Sequence, residues 1–232
     1  MFNLRQAAEH VHLEANELRH VAQRGEIEAE ERNGEFYFEH RALDEWAQRN
    51  LLSSNKGDLE EVHRSMMTER QRDRKAPWSA AEFFRVGAID LGMRSKTKGG
   101  AIRDMTDLAV KSGLVYDIEG LFKELSDREE AAPTAVGNAI ALLHPRYHDP
   151  YFFEESFIAY ARSDRGVFFG APDGEVTRHF FLICATDHEV HLHILARLAM
   201  LAHGTELMER LDAAEEPDEV IAAIRECEKE FL

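Results

Sequence analysis

A histidine that directly follows a short apolar run is the residue in this chain best suited to chemistry. The run, Ala139 to Leu143, has the length of a buried strand and ends on His144. In an α/β protein, strands of this kind end at the edge of the sheet where ligands bind. An imidazole at that edge titrates near neutral pH, so His144 is a candidate base, nucleophile or metal ligand.

Two more histidines lie near the start of a later helix. His188 and His191 are three residues apart, so they share a face near the N-terminus of a predicted helix over 189–202. A helix N-terminus attracts anions because its first N–H groups have no partner within the helix. If this helix meets the strand end, the two elements form a pocket suited to a phosphoryl group, with the His144 imidazole standing exposed at the rim.

The elements that position these residues alternate along the C-terminal two thirds of the chain. Apolar patterning predicts helices at about 100–111, 117–127, 189–202, 205–211 and 217–230, and strands at 139–143, 156–161, 166–169 and 177–185. Such alternation predicts an α/β domain in which helices flank a β-sheet, and the hairpin-like spacing of the middle strands indicates a mixed sheet. The predicted domain covers residues 79–232.

The first 52 residues predict a separate small module. Asn3 can cap a first helix, Gly25 ends a second, Asn33-Gly34 is a strong hairpin signal, and a third helix follows. This order is the plan of a winged helix-turn-helix. The motifs L-R-Q-A-A-E-H-V, E-L-R-H-V-A-Q-R-G-E-I and F-Y-F-E-H-R-A-L-D-E-W-A resemble the excisionase/MerR-like DNA-binding module.

Charge opposes DNA binding by this module. Residues 1–50 hold six arginines and eleven carboxylates, a net charge of −5. Phosphate contacts need a local excess of cations, so a role in protein contact or dimerisation is the favoured alternative. Residues 53–78 are predicted to be a polar linker, and they carry a basic cluster formed by Arg70, Arg72, Arg74 and Lys75.

Composition narrows the class of protein. The 232 residues are 44% hydrophobic and carry a net charge of −16, which disfavours nucleic acid and anionic membranes as partners. No apolar run approaches the roughly 20 residues of a membrane span, and the first residues lack the apolar core of a signal peptide. We therefore expect a cytoplasmic protein. The two cysteines, Cys184 and Cys227, do not form a zinc motif.

Four motifs stand out from about Ser79 onward: A-I-D-L-G-M, D-R-E-E-A-A-P-T-A-V-G-N-A-I-A-L-L-H-P-R, F-G-A-P-D-G-E-V and H-L-H-I-L-A-R-L-A. With them this part of the chain resembles the phosphotransferase-system enzyme IIA domain of type 2, the mannitol/fructose/nitrogen-regulatory family. The resemblance implies that His144 accepts a phosphoryl group from the phosphocarrier protein HPr. It also implies that His191 is the second active-site histidine and that Arg128 packs beside the site.

The chemistry of these residues agrees with that role. Neutral imidazole is a nucleophile at pH 7, and the Arg128 guanidinium suits bidentate binding of phosphoryl oxygens. Thr134, Gly137 and Asn138 are expected to support the phosphate pocket. The chain departs from the family pattern at Leu143, where proline is usual, and at Ala139, where glycine is usual; Pro145 follows the acceptor directly. These changes are expected to shift the imidazole or narrow the phosphate approach.

The sequence therefore predicts a IIA-like phosphohistidine phosphotransferase component with regulatory function. We expect no cofactor and no metal, and HPr, a IIB component or a regulatory target as partners. A DNA-binding regulator with a phosphorylation-sensing domain and an inactive IIA-like interaction protein are the alternatives. Zinc binding is a weaker alternative, in which His188, His191 and His193 would combine with His144 or His148.

Overall fold

The computed structural model describes residues 1–53, 79–146 and 152–230. The chain divides into two compact units, Met1–Pro77 and Trp78–Leu232. Most of the predicted linker, including its basic cluster, lies outside the described residues, as does His148.

The first unit contains three helices and a three-stranded antiparallel sheet within its described part. Its elements are β1 (Phe2–Asn3), α1 (Leu4–His10), α2 (Ala15–Gln23), β2 (Ala29–Arg32), β3 (Glu35–Phe38) and α3 (His40–Ser53). The strand order is β1-β3-β2. Asn33 and Gly34 both have positive φ, as a two-residue hairpin turn requires. The helices and the hairpin lie where the sequence predicts them; β1 was not predicted.

A five-stranded mixed sheet organises the second unit. Its strands are β4 (Phe84–Asp90), β5 (Ala135–Gly137), β6 (Ile140–Leu143), β7 (Phe157–Val167) and β8 (Thr177–Cys184), in the order β4-β7-β8-β6-β5. β4 pairs with β7 and β6 pairs with β8 in parallel, while the β7–β8 and β5–β6 pairs are antiparallel. The predicted mixed sheet is confirmed. The two strands predicted between 156 and 169 are one long strand, β7, with a register shift between Arg162 and Val167.

Helices cover both faces of this sheet. They are α4 (Lys98–Val110), α5 (Ile118–Ala131), α6 (His188–Gly204), α7 (Leu207–Ala213) and α8 (Pro217–Glu228), and a 3-10 helix, Ala80–Phe83, precedes β4. Helices α4 and α5 contribute to the main apolar cluster, while α6 packs on β6 and β8 and α8 packs on β4. No helix within the described ranges is both long and apolar enough to cross a membrane.

Strand β6 shows why the apolar run preceding His144 has no alternation. All four of its residues are buried, because the sheet is covered on both sides. Ala141 and Leu143 belong to the cluster that includes α4 and α5. Side chains alternate along a strand, so the residue after Leu143 is directed to the opposite face, where α6 packs.

Candidate functional site

Three of the predicted site residues meet at the end of β6. His144 follows the strand, Arg128 lies in the last turn of α5, and His191 lies near the start of α6. Arg128 Nε is 3.1 Å from Nε2 of His144. The rings of His144 and His191 are 4.8 Å apart between centroids, at an angle of 58°. The structure therefore gathers one guanidinium and two imidazoles from three separate elements.

The contact with Arg128 determines the tautomer of His144. A guanidinium stays protonated and can only donate, so Nε2 of His144 must accept from it with a lone pair. The proton of the neutral ring is then on Nδ1, which donates to the backbone carbonyl of Leu142 at 2.8 Å. Nε2 consequently carries the lone pair of the neutral His144 ring.

Arg128 is held in place by the C-terminal end of its own helix. Its Nη1 donates to the carbonyl of Ala132 at 2.8 Å, and the Ala132 N–H donates to the Arg128 carbonyl. The side chain is buried. This local pairing aims the guanidinium at the strand end while satisfying a carbonyl beyond the helix.

Glu129, the next residue, fixes the turn from α5 into β5. Its buried carboxylate accepts from both the N–H and the hydroxyl of Thr134, at 3.0 and 2.7 Å, and from Nζ of Lys98 at 2.8 Å. The Thr134 hydroxyl is thus bonded to Glu129, and Thr134 supports the site through the turn. The sequence did not indicate Glu129 or Lys98, because the contact joins residues 31 positions apart.

His191 is positioned by the N-terminal cap of α6. Asp187 accepts the N–H of Val190 at 2.8 Å, and the His191 N–H donates to the Asp187 carbonyl. Asp187 therefore fixes the first turn of α6. That placement brings the His191 ring against His144.

The zinc alternative is not supported by the described part of the site. There, the side chains of residues 144, 188, 191 and 193 do not place three ligand atoms within 4.8 Å of one another. His148, the remaining member of that hypothesis, lies outside the described residues.

Gly137 and Asn138 lie at the other end of β6, which corrects the prediction that they support a phosphate pocket. Asn138 and Ala139 form the β5–β6 turn with φ of 50° and 59°. Four strand residues, each rising about 3.3 Å, separate this turn from His144. Asn138 bonds instead to Asp173 and to the carbonyl of Ala202. The alanine at 139 therefore does not narrow the approach to His144, contrary to expectation.

The burial of His144 is a second correction. The ring was expected to stand exposed at the rim of the sheet, but its exposed fraction is 0%. The end of α5 and the start of α6 close over the strand end, and Arg128 and His191 contact the ring. The groups identified around it are polar, so the ring is not enclosed by hydrocarbon alone.

The fold agrees with the comparison against known families. Residues 82–227 match the family described as phosphoenolpyruvate-dependent sugar phosphotransferase system, EIIA 2. This match covers more than half of the chain, so the chain belongs to that family. The helix-flanked mixed sheet is the mannitol-type IIA fold.

Individual relatives support the same assignment. The fructose-specific EIIA component of Haloferax volcanii is 34% identical over 129 residues, which are 55% of this chain and 82% of that protein. The fructose-specific EIIABC component of Bacillus subtilis is 30% identical over 150 residues, 64% of this chain but 23% of that protein. This chain thus spans less than a quarter of the longer relative.

Solved structures of the Escherichia coli mannitol enzyme IIA share the fold of the second unit. A crystal structure has 27% identity and a TM-score of 0.53, covering 61% of this chain and 98% of that one. The same enzyme in complex with phosphorylated enzyme IIB has 25% identity and a TM-score of 0.54, covering 62% and 97%.

Proposed function

We propose that this protein is a phosphoryl carrier that accepts a phosphoryl group from an HPr-type phosphocarrier on Nε2 of His144. The observation that carries the proposal is the convergence of Arg128 and His191 on that imidazole. Membership of the EIIA 2 family supports the same chemistry. The predicted cytoplasmic location and the regulatory role remain part of this proposal.

The transfer step uses groups that the site already aligns. The Nε2 lone pair attacks the phosphorus of the phosphorylated carrier, the new N–P bond forms, and the bond from phosphorus to the carrier breaks. The carrier leaves with the electron pair of that bond. The His144 ring gains positive charge while it keeps its Nδ1 proton, and the hydrogen bond from Nδ1–H to the Leu142 carbonyl stabilises the charge. Positioning and charge stabilisation therefore supply most of the catalysis.

Arg128 has two successive tasks in this scheme. Before transfer its Nε–H donates a hydrogen bond to the lone pair of His144 Nε2, so the guanidinium occupies the place that the phosphorus must take. It must swing aside as the phosphoryl group arrives, and its N–H groups then donate to the phosphoryl oxygens. His191, in ring contact with His144, is placed to donate to the same oxygens.

The onward partner is proposed to be a IIB component or a regulatory target. The mannitol enzyme IIA of Escherichia coli has been solved in complex with phosphorylated enzyme IIB. Because this chain spans 23% of the EIIABC relative, the acceptor and the sugar or nitrogen signal are not carried over from that protein.

For the first unit we propose a winged helix-turn-helix type of module that makes protein contacts and couples phosphorylation to a target. The order of helices and hairpin supports the fold, and the net charge of −5 over residues 1–50 favours protein over DNA as the contact. A DNA-binding regulator is the alternative. A salt-dependent shift of DNA by the full chain would support that alternative, and its absence at low ionic strength would support protein contact.

Labelling tests the central proposal. The full chain is incubated with enzyme I, HPr and labelled phosphoenolpyruvate, beside His144→Asn and a control, His203→Asn, which changes an exposed histidine. We expect label on the wild type and the control and none on His144→Asn. Label that persists in His144→Asn would refute the site. A folded wild type that takes up no label would support the inactive interaction protein.

A further inference from the structure

A second group of chemically capable side chains lies in the first unit, apart from the residues of the proposed phosphoryl site. It consists of His10, the last residue of α1, His40, the first residue of α3, and Asp44, one turn further along α3. Their ligand atoms all lie within 4.8 Å of one another. In the described part of the chain, this is the one set of histidine, cysteine and carboxylate groups that converges so closely.

Both imidazoles face the same carboxylate. His10 Nε2 lies 2.7 Å from Asp44 Oδ1, and His40 Nδ1 lies 3.2 Å from Asp44 Oδ2. The two imidazole rings are 4.4 Å apart between centroids. Each ring therefore presents one nitrogen toward a common point, and the carboxylate supplies a negative charge there.

We propose that His10, His40 and Asp44 form a binding site for a divalent transition-metal ion, with Zn²⁺ as the ion that this ligand set suits best. Two imidazole nitrogens and one carboxylate oxygen are borderline ligands that Zn²⁺ accepts readily. Tetrahedral ligands at about 2.1 Å from an ion lie about 3.4 Å from one another. The two observed nitrogen–oxygen separations, 2.7 and 3.2 Å, are somewhat shorter than that value, so a small outward movement of the side chains would admit the ion.

The cluster is covered by an apolar side chain on one side and exposed to solvent on the other. The Phe2 ring packs against both imidazoles, at 5.3 and 5.2 Å. The side chain of Asp44 is 12% exposed, whereas that of His40 is 58% exposed. An apolar wall strengthens the attraction between the carboxylate and a cation. The open side gives the ion a route in and leaves a fourth position for water or another ligand.

A bound ion would link the end of α1 to the start of α3. The three ligands come from these two helices, and the metal would join them where the His10–Asp44 contact does so now. Because folded protein binds the ion better than unfolded protein, metal would stabilise the first unit. This proposal is independent of phosphoryl transfer by His144.

The test is titration of the metal-free full chain with Co²⁺, followed by visible d–d absorption, and with Zn²⁺, followed by calorimetry. We expect one tight site in the wild type. Asp44→Asn keeps the shape of the side chain but loses its charge, and His40→Gln loses one imidazole; each should weaken binding at least about tenfold. Far-UV circular dichroism of both variants without metal establishes that they are folded.

Two matched controls locate the ion. His20→Gln changes an exposed histidine on α2, and His144→Asn changes the proposed phosphoryl site; both should bind metal as the wild type does. Zn²⁺ should raise the unfolding temperature of the wild type and not that of Asp44→Asn. A wild type without tetrahedral Co²⁺ bands, or folded Asp44→Asn and His40→Gln variants that bind like the wild type, would overturn the proposal.

Discussion

Arg128 donates its Nε–H to Nε2 of His144 across 3.1 Å, from the end of a helix to the residue that follows a strand. This one contact leaves the ring proton on Nδ1, which donates to the Leu142 carbonyl, and directs the Nε2 lone pair toward a cation. It also covers the nitrogen that we propose as the phosphoryl acceptor. In the proposed transfer, Arg128 both orients the His144 ring and covers its Nε2, which makes its substitution informative.

We expect Arg128→Lys to slow phosphoryl transfer by about 100-fold. Enzymes lose a comparable factor when one hydrogen-bond donor to a developing negative charge is removed. Lysine keeps the positive charge but lacks the planar Nε–H that meets His144 and the second nitrogen that meets Ala132. Rapid-quench kinetics with phosphorylated HPr measure the rate. Arg165→Lys, an exposed position, is the control. Equal rates for the wild type and Arg128→Lys would contradict the proposed role.

His191→Asn is expected to lower the transfer rate by about tenfold while leaving the fold intact. Asparagine retains a donor but not the ring that packs against His144, so the phosphoryl oxygens lose an aligned partner. The same kinetic assay applies, with His203→Asn as the control. If His191→Asn transferred at the wild-type rate, His191 would be a packing residue only.

Ala139→Gly should stabilise the protein by about 1 kcal/mol. Ala139 has a φ of 59°, in the left-handed region that costs an L-residue about 1–2 kcal/mol and glycine nothing. Urea unfolding measures the change. The same substitution at the extended position 141, Ala141→Gly, should destabilise. The turn is remote from His144, so the rate of phosphoryl transfer should not change. Faster transfer by Ala139→Gly would mean that this turn does influence His144.

Much of the second unit was predictable because its elements carry strong local patterns. The apolar run before His144 and the stripe of α6 were recognised, and the mixed sheet followed from their alternation. Strand β4 was missed because this edge strand is only partly buried and contains Gly87, so it has no continuous apolar run. Strand β5 was missed because its three residues are too few to form a recognisable pattern.

The sequence predicted which three side chains meet, but not which backbone lies near them. His144, His191 and Arg128 meet as expected, but Gly137 and Asn138 are close to His144 only in sequence, since β6 separates them in space. The burial of His144 depends on how two distant helix ends close over the strand. The Lys98–Glu129 pair likewise depends on packing between α4 and α5, which leaves no local signal.

His179 should make the stability of the second unit depend on pH. Burial lowers its pKa from 6.5 to about 4, and the nearby Asp212 only partly opposes this shift. Between pH 4 and pH 6.5 the unfolded chain binds more protons at His179 than the folded chain does. The stability that neutral His179 contributes is therefore present above pH 6.5 and is lost as the pH falls to about 4. The loss amounts to up to about 3 kcal/mol.

Urea unfolding at several pH values tests this expectation. His179→Asn should flatten the pH dependence between 4 and 6.5, although it also removes the contact with the Tyr160 hydroxyl and lowers stability at pH 7. His203→Asn should leave the slope unchanged. A slope in His179→Asn as steep as that of the wild type would assign the titration to another group.

The most direct measurement is nuclear magnetic resonance of the phosphorylated, ¹⁵N-histidine-labelled protein. Coupling between phosphorus and ring nitrogens identifies which nitrogen of which histidine carries the group. We expect phosphorus on Nε2 of His144, with the Nδ1 proton retained. Phosphorus on Nδ1 of that ring, or on any other histidine, would contradict it.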